Sequence, residues 1–512
     1  MPPAGTLVQG TIRTSPFEEP VDWLLSVGGR VETFGFGDPP DALVRSVRAL
    51  TLPPGAVAVP VLHDAHVHLL GTGLLELGVD LSSVASIDEL LGIVADAVRE
   101  REEPLIRAHS FDPDTLDDAR YPTMSELDSA AGSTPVFVKR RDGHSSSVNT
   151  AAYRLMGLEP TTDGVETDGT GSPTGVLRRA AHNRAAALSS DLLTDEEKVR
   201  ALHLGSAAAL RAGAGVVHAL VGREDPEDRE IELVLDVADE LPVDVVVYPQ
   251  TTDVDRVASL GLPRIGGCIL LDGSFGSRTA ALLRPYHDGP GDGVLYYGDD
   301  ELTSFIGRAH GRGMQVAVHA IGDRAVHQAV RCLEAAVGSD AREARHRIEH
   351  CELVDAGAVA GILRLGAGVC VQPAFERYWG GPGGLYEKRL GTGRMRRTNP
   401  YRSMLDSGVP LGAGSDSYVT PIDPLGGMAA AAARPVPEHD IDPAEALALF
   451  TSGAAWLAFD EHRVGTLREG SEASFTVLDA DPARKGARAD EITVLGVYLR
   501  GEEAAPDPSS AS

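Results

Sequence analysis

Basic residues are scarce in this sequence relative to acidic ones. Its 512 residues include 46 Lys plus Arg against 75 Asp plus Glu, so the formal net charge is −29. Binding to nucleic acid or to an anionic membrane surface requires clustered Lys or Arg, and no such cluster here is large enough to outweigh the acidic background. The composition therefore argues against both kinds of partner.

Cysteine and long apolar runs are also scarce. The cysteines are Cys268, Cys332, Cys351 and Cys370. They form no CxxC pair and no disulfide framework, which favours a reducing compartment. The chain starts without a basic and apolar leader, and no apolar run approaches the roughly 18 residues that span a bilayer. We therefore expect a cytoplasmic protein without a membrane segment.

A hydrophobic content of 43% is sufficient for a large globular core. Short β-type segments separated by Gly, Pro and Asp occur in the first sixty or so residues and again near the C-terminus. We expect these two sets to pair with each other in one small β-sandwich domain, formed by residues 1–57 and 456–501. Residues 502–512 are rich in Pro, Ser and Ala and predict a disordered tail.

The centre of the chain, residues 58–455, alternates helical stretches with short, wholly apolar strands. Helices predicted over 300–311 and 324–337 each precede such a strand. Strands of this kind are typical of a parallel sheet that is buried on both faces, and closure of eight strands is the favoured form at this length. The predicted fold class is therefore α/β, a (β/α)8 barrel of the TIM type with a small domain built from both termini.

Histidines occur where these predicted strands end. His66 and His68 follow the first apolar strand of the centre, while His319, His350 and Asp416 each follow a later one. The C-terminal ends of barrel strands share one mouth, and alternate residues of a strand share one face. Imidazole and carboxylate groups suit Zn²⁺ and related ions. A lone HxH pair is often structural, but the convergence of five such side chains predicts a metal site.

Five short motifs occur in order along the chain. They are DAHVHL at 64–69, DGSFGSRTA at 272–280, HAIGD at 319–323, RIEHC at 347–351 and GSD at 414–416. Together they resemble the amidohydrolase superfamily, and more closely its amidohydrolase 3 branch of YtcJ-like metal-dependent hydrolases. The likeness extends from about residue 5 to residue 482. It implies a distorted TIM barrel with a β-sandwich satellite.

The resemblance also implies roles for individual residues. His66 and His68 match the metal ligands of the first strand, His319 and His350 match the histidines after strands five and six, and Asp416 matches the strand-eight aspartate that contacts metal and shuttles protons. A bound divalent ion, expected to be Zn²⁺, lowers the pKa of its water toward ~7 and so provides hydroxide at neutral pH. Asp416 would accept the proton as water attacks and return it to the leaving nitrogen.

One position departs from the pattern of that branch. A lysine whose carbamate bridges two ions commonly stands four residues before the Asp-Gly-Ser motif, and this chain has Cys268 there. The Cys268 thiolate could replace the lysine as a ligand, the site could be mononuclear, or Cys268 could be a buried structural residue. We favour one ion, and a count of one or two stays open.

Further residues are candidates for contact with the substrate. His144 resembles the Gly-His segment of the branch, where it would hydrogen-bond the substrate carbonyl or oxyanion, and a structural role is an equal alternative. His218 ends a predicted strand and lines either the pocket or the core. Asp272 and Arg278 lie on one loop, where they help to build the pocket or brace the loop as a pair. Glu349 is expected to brace a metal-binding imidazole or a neighbouring strand.

These residues predict a metal-dependent hydrolase of a non-peptide carbon–nitrogen bond in a small molecule, an amide or a formamide. A deaminase, or an ester or carbamate hydrolase, would use the same hydroxide, because specificity resides in the loops after the strands. A catalytically silent barrel that binds or scaffolds is the alternative from another class. The expected partner is a small-molecule substrate, and a homo-oligomer stays open.

Overall fold

The computed structural model of the chain describes residues 5–45, 47–101, 103–141, 143, 145–225, 227–338 and 341–505. His144 lies outside the described residues, and so do residues 506–512 of the predicted tail. Contacts divide the chain into two compact units, residues 1–69 with 206–512, and residues 70–205. No helix in the described ranges is long and apolar enough to cross a membrane.

The strands of the described ranges are numbered in chain order. They are β1 (Gly5–Ile12), β2 (Val21–Val27), β3 (Arg30–Gly35), β4 (Arg48–Thr51), β5 (Val57–Pro60), β6 (Leu62–Val67), β7 (Val79–Asp80), β8 (Ile106–Phe111), β9 (Val136–Arg140), β10 (Ser145–Val148), β11 (Val165–Thr167), β12 (Pro173–Arg178), β13 (Ala214–Val221), β14 (Asp244–Pro249), β15 (Arg264–Leu270), β16 (Gln315–Ala320), β17 (Arg347–His350), β18 (Gly368–Val371), β19 (Leu411–Ala413), β20 (Phe475–Leu478), β21 (Val494–Leu499) and β22 (Glu502–Glu503).

The α-helices of the same ranges follow the same order. They are α1 (Asp41–Val44), α2 (Leu69–Leu77), α3 (Ile87–Glu100), α4 (Met124–Ala131), α5 (Thr150–Leu155), α6 (Arg179–Asp191), α7 (Asp195–Arg211), α8 (Glu230–Val237), α9 (Val254–Ser259), α10 (Asp299–Gly311), α11 (Asp323–Val337), α12 (Ala341–Ala344), α13 (Ala356–Leu365), α14 (Pro373–Trp379), α15 (Leu385–Leu390), α16 (Thr392–Met395), α17 (Tyr401–Asp406), α18 (Pro424–Ala432), α19 (Pro443–Leu449) and α20 (Ser452–Leu457).

Strands from both ends of the chain form one mixed sheet in the first unit. Its order is β22-β21-β20-β5-β1-β2-β3, and β4 also pairs with β1. The N-terminal β5 pairs antiparallel with the C-terminal β20, so the predicted pairing of the two termini is confirmed. Residues Glu502 and Glu503, predicted to begin a disordered tail, instead pair with β21.

Eight parallel strands of the first unit form two sheets, in the orders β14-β13-β6 and β15-β16-β17-β18-β19. A parallel bridge between Val67 and Ser417 joins β6 to the segment after β19, and β14 lies beside β15. The order of the strands thus returns on itself, as expected for a distorted TIM barrel. Every residue of β6, β13, β16, β17 and β18 is buried. Burial on both faces explains the mainly apolar sequences of β13, β16 and β18, whereas β6 and β17 bury charged and imidazole side chains.

Helices α10 and α11 show why the sequence predicts this alternation so well. Helix α10 carries three acidic residues in its first turn, where negative charge interacts favourably with the helix dipole. Helix α11 buries Val326, Ala329, Val330 and Leu333 against the core, a spacing that places them on one face of a helix. Both helices cover the predicted spans to within one residue.

The second unit contains a six-stranded sheet of order β11-β12-β10-β9-β8-β7. Strands β7, β8 and β9 are parallel, whereas β10 pairs antiparallel with β9 and β12. Apolar residues of α3, α4, β8 and β9 share one core. This stretch falls within the 58–455 domain that the sequence predicts, and those domain boundaries stay predictions.

Candidate metal centre

Six side chains of the first unit meet at the C-terminal ends of the parallel strands. They are His66 in β6, His68 directly after it, Cys268 in β15, His319 in β16, His350 at the end of β17 and Asp416 after β19. Four of them are buried, while His68 and Cys268 are partly exposed. The structure therefore brings together the histidines, the aspartate and the cysteine that the sequence singles out.

The side chains of Asp416 and Cys268 both approach the rings of His66 and His68. Oδ1 of Asp416 lies 3.3 Å from Nε2 of His66 and 3.3 Å from Nε2 of His68. Sγ of Cys268 lies 3.6 Å and 3.7 Å from the same two nitrogens. Around a tetrahedral Zn²⁺, ordinary bond lengths separate two N or O ligands by about 3.4 Å and an N from an S ligand by about 3.6 Å. Each of these four measured pairs thus has the spacing of two ligands to one ion, and the donors fall into two overlapping groups, His66 with His68 and Asp416, and His66 with Cys268 and His350.

His319 and His350 lie beside these four donors. Their ring centres are 4.5 Å apart, and that of His350 is 4.9 Å from that of His66. Donor atoms of His66, Cys268 and His350 all lie within 4.8 Å of one another. Both ring nitrogens of His350 are buried without a hydrogen-bond partner in the described part of the chain. Because an unpartnered buried polar group is costly, these nitrogens suit coordination to a metal ion.

The electrostatics of the site favour the anionic forms of Cys268 and Asp416. Burial by itself would raise the pKa of the Cys268 thiol, but His66 and His68 outweigh burial and hold that pKa well below its usual range. Burial would likewise raise the pKa of Asp416, and His66 and His68 hold it well below the usual value. Thiolate and carboxylate are the forms in which these side chains act as ligands.

The backbone is strained at two of the candidate ligands. His350 has a φ of 70° and Asp416 a φ of 57°, in the left-handed region that side chains with a Cβ seldom adopt. Such conformations cost about 1–3 kcal/mol each and persist where surrounding contacts enforce them. At Asp416 the backbone N–H donates to the carbonyl of His66 over 2.8 Å. The strain therefore lies where the donors are brought together.

Asp64 is a residue of the first motif whose role sequence reasoning missed. Its Oδ1 accepts the backbone N–H groups of His66 and Ser415, at 3.2 Å and 2.9 Å. Asp64 is 1% exposed. Its two hydrogen bonds join β6 to the segment that carries Asp416. Its position two residues before His66, with a side chain on the same face of the strand, was the available signal.

Glu349 occupies the other side of the His66 ring. Its Oε2 lies 2.7 Å from Nδ1 of His66, and both side chains are fully buried. A carboxylate there accepts a hydrogen bond from Nδ1–H and leaves Nε2 of His66 facing the other donors. Of the two roles expected for Glu349, the structure shows the bracing of a candidate metal-binding imidazole.

Asp272 holds His319 from behind. Its carboxylate is fully buried, and its Oδ1 lies 3.3 Å from Nδ1 of His319. Its oxygens also accept three backbone N–H groups, from Ala281, Ile321 and Gly322. Asp272 therefore braces the loops around His319, and its oxygens are engaged by the protein itself.

Arg278 and His218 are engaged by side chains other than the donors. Arg278 forms a two-fold hydrogen-bonded pair with Asp288, so the alternative of an Asp272–Arg278 pair is wrong. His218 is 0% exposed, and its Nδ1 accepts from Nη1 of Arg347 at 3.0 Å. That placement favours the core alternative for His218 over a pocket role.

Comparison with known proteins agrees with this geometry. The model of the amidohydrolase family matches residues 54–505. The protein YtcJ of Bacillus subtilis is 29% identical over 462 residues, which cover 84% of this chain and 85% of that protein. The N-substituted formamide deformylase of Arthrobacter pascens is 26% identical over 518 residues, which cover 93% and 94%.

A solved structure is similar over nearly the same length. It is the crystal structure of an uncharacterized metal-dependent hydrolase from Pyrococcus furiosus, with 28% identity, a TM-score of 0.77, and coverage of 94% of this chain and 100% of that one. The chain therefore belongs to the amidohydrolase family, and it is a hydrolase of the class that acts on carbon–nitrogen bonds other than peptide bonds.

Proposed function

We propose that this chain is a metal-dependent amidohydrolase that cleaves an amide or formamide bond of a small molecule. The observation that carries the proposal is the spacing of the donors of His66, His68, Cys268 and Asp416, 3.3 to 3.7 Å between the measured pairs. Mixed imidazole, carboxylate and thiolate donors suit Zn²⁺, and Zn²⁺ is the ion that we propose.

The donor set also bears on the number of ions. Four protein donors complete the shell of a tetrahedral ion, whereas a catalytic zinc site keeps a position open for water. His319 and His350 remain outside that set, and His350 lies within 4.8 Å of Cys268. We therefore propose that a second ion would be held here, with His319, His350 and Cys268 among the residues that would hold it. This revises the preference for one ion that the sequence suggests.

The protein side chains account for the movement of protons in the reaction. A divalent ion held by these residues would polarise the scissile carbonyl and would lower the pKa of a water molecule toward ~7. Asp416, which is anionic and is itself one of the donors, accepts a proton as water attacks and delivers it to the leaving nitrogen. Because amines leave poorly unless protonated, this delivery completes the cleavage. Glu349 and Asp272 keep the rings of His66 and His319 in place meanwhile.

Two observations support an uncharged amide as the substrate. The similarity to an N-substituted formamide deformylase extends over 93% of this chain. Beside the donors, the ring of Phe375 lies nearly parallel to that of His350, with centres 6.0 Å apart and an interplanar angle of 11°. Trp379 packs against Phe375 at 4.8 Å. These rings belong to an apolar cluster next to His350, and such surroundings favour a neutral substituent over a charged one.

The test combines metal analysis with a substrate panel. Purified chain is assayed for bound Zn²⁺ and for turnover of N-formyl amines, N-acyl amines, cyclic amides, aminated heterocycles and esters, before and after chelation. We expect chelator-sensitive hydrolysis of a formamide or amide. Asp416→Asn should fold normally and lower kcat by about 10²–10⁴-fold. Asp481→Asn, which alters a carboxylate paired with Arg13, is the control.

The other outcomes refute separate parts of the proposal. Turnover of heterocycles or esters with no turnover of amides would replace the bond type. A metal-free, stable and inert chain would support the silent binding barrel. An unchanged kcat in the Asp416→Asn enzyme on a verified substrate would remove Asp416 from the mechanism.

A further inference from the structure

Arg347 is the largest side chain of the fully buried set, at 1% exposure. It precedes Glu349 by two residues on β17, so both side chains lie on the same face of the strand. Its Nε donates to Oε1 of Glu349 at 2.8 Å, and its Nη2 donates to Oε2 at 2.9 Å. This is the two-point pairing in which a guanidinium fixes both the position and the orientation of a carboxylate.

Other strands fix the guanidinium in turn. Nη2 of Arg347 also donates to the carbonyl of Ala65 in β6, at 2.9 Å. Nη1 donates to Nδ1 of His218 in β13, at 3.0 Å. The centre of the Tyr248 ring in β14 lies 4.5 Å from the Cζ atom of Arg347. Together with Glu349 in β17, contacts from four strands therefore hold this one guanidinium group.

His218 is a suitable acceptor only in its neutral form. Nδ1 needs a free lone pair to accept from Arg347, so the ring proton is on Nε2. Burial lowers the pKa of His218, and the neighbouring Arg347 lowers it further, to well below its usual value. A neutral ring next to Arg347 leaves Glu349 as the anionic partner of the guanidinium.

We propose that Arg347 is a positioning residue for the metal centre and acts through Glu349 on His66. One oxygen, Oε2 of Glu349, lies 2.7 Å from Nδ1 of His66 and accepts from Nη2 of Arg347. The pairing with Arg347 thus sets where that oxygen stands, and the oxygen sets the tautomer and rotation of His66. The hydrogen bond to Ala65 holds the backbone directly before His66. This inference rests on the metal-binding role proposed for His66.

The energetics separate this role from simple core packing. A buried ion pair often contributes little to stability compared with apolar side chains of the same volume. Partners that fix a metal-binding imidazole, in contrast, typically change metal affinity by roughly 10–100-fold. Loss of Arg347 should therefore weaken metal binding out of proportion to any change in fold.

The experiment measures Zn²⁺ affinity by competition with a chromophoric chelator, and the absorption spectrum of the Co²⁺-substituted protein. The variants are Arg347→Met, Arg347→Lys, Glu349→Gln and the double variant Arg347→Met/Glu349→Gln. Arg434→Met is the matched control, because Arg434 is also fully buried and pairs with a buried carboxylate, Glu376, at 3.0 Å. Arg347→Lys keeps a buried cation, so it carries the test if Arg347→Met does not fold.

We expect each single change at Arg347 or Glu349 to weaken Zn²⁺ binding by about 10–100-fold and to alter the Co²⁺ spectrum. Residues that act in series are not additive, so the double variant should bind about as weakly as the weaker single variant. Arg347→Lys should bind between wild type and Arg347→Met, and Arg434→Met should bind like wild type.

Unchanged affinity and spectrum in the folded Arg347 variants would overturn the proposal. So would a double variant whose loss is the product of the single losses, or an equal loss in Arg434→Met. The proposed function stands in each of these cases, provided that the wild-type chain binds Zn²⁺ and a His66→Ala variant does not. A wild-type chain that binds no divalent ion would refute the proposed function and this inference together.

Discussion

Replacing Cys268 by serine tests the donor set most directly. Sγ of Cys268 lies 3.6 Å and 3.7 Å from the two Nε2 atoms of His66 and His68. Serine keeps the volume of the side chain nearly unchanged, but its hydroxyl stays protonated near neutral pH. The change therefore removes an anionic donor without opening a large cavity.

The expected loss follows from sharing the binding energy among the donors. Structural Zn²⁺ sites with four protein ligands bind with an apparent free energy of about 10–16 kcal/mol. An equal share for each of four donors is about 2.5–4 kcal/mol, which corresponds to roughly 10²–10³-fold in the dissociation constant. If Cys268 is shared between two ions, the metal content should also fall toward one ion per chain or fewer.

Competition titration with a chelator and the Co²⁺ spectrum measure this loss. A thiolate ligand gives a charge-transfer band in the Co²⁺ protein, which Cys268→Ser should abolish. Cys332→Ser is the control, because Cys332 is a free, buried cysteine in α11 and belongs to none of the donor groups. A Cys268→Ser protein with wild-type affinity and the band intact would assign Cys268 to packing.

Three further predictions address other parts of the structure. Burial, with a smaller effect of His310, lowers the pKa of His346 to about 4. In the unfolded chain, His346 takes up a proton near pH 6.5, whereas in the folded chain it stays neutral until about pH 4. About 3 kcal/mol of folding stability is therefore lost as pH falls from 6.5 to 4. In urea titrations across that range, His346→Asn should lack this share of the pH dependence, and an unchanged dependence would contradict the assignment. Asp272→Asn should leave at least one of three backbone N–H groups without an acceptor and cost about 1–3 kcal/mol of unfolding free energy; a wild-type urea midpoint would show that the loop does not need the carboxylate. Chelation should lower the thermal midpoint and added Zn²⁺ should restore it, because the ion binds only the folded donor set; a midpoint indifferent to both would count against a bound ion.

Elements with strong local signals were predicted well from the sequence. Helices α10 and α11 combine polar N-termini with apolar spacing on one face, and each begins one residue before its predicted start and ends where predicted. Parallel strands such as β13 and β18 are mainly apolar because both of their faces are buried. Residues at the ends of those strands were likewise expected to meet, since strand direction alone sends them to one edge of the sheet.

Partners across long sequence separations were harder to predict. Arg278 pairs with Asp288, although Asp272 is closer in sequence. His218 faces Arg347, which is 129 residues away. The mixed sheet of the second unit was not anticipated either, because short strands such as β7 and β11 carry little pattern of their own. The local sequence pattern predicts which residues are buried and how they are spaced along an element. These long-range contacts depend instead on which strands become neighbours in the fold.

Three of the motifs supply a carboxylate that supports a candidate ligand without being one itself. Asp64 accepts the backbone N–H of His66, Glu349 holds the ring of the same histidine, and Asp272 lies behind His319. A free carboxylate buried this deeply would be very costly, so each is retained with N–H groups already directed at it. The ligands thus have their orientation set before any ion arrives, which reduces the ordering that binding must supply. For that reason, loss of such a carboxylate should weaken metal binding even where the fold survives the change.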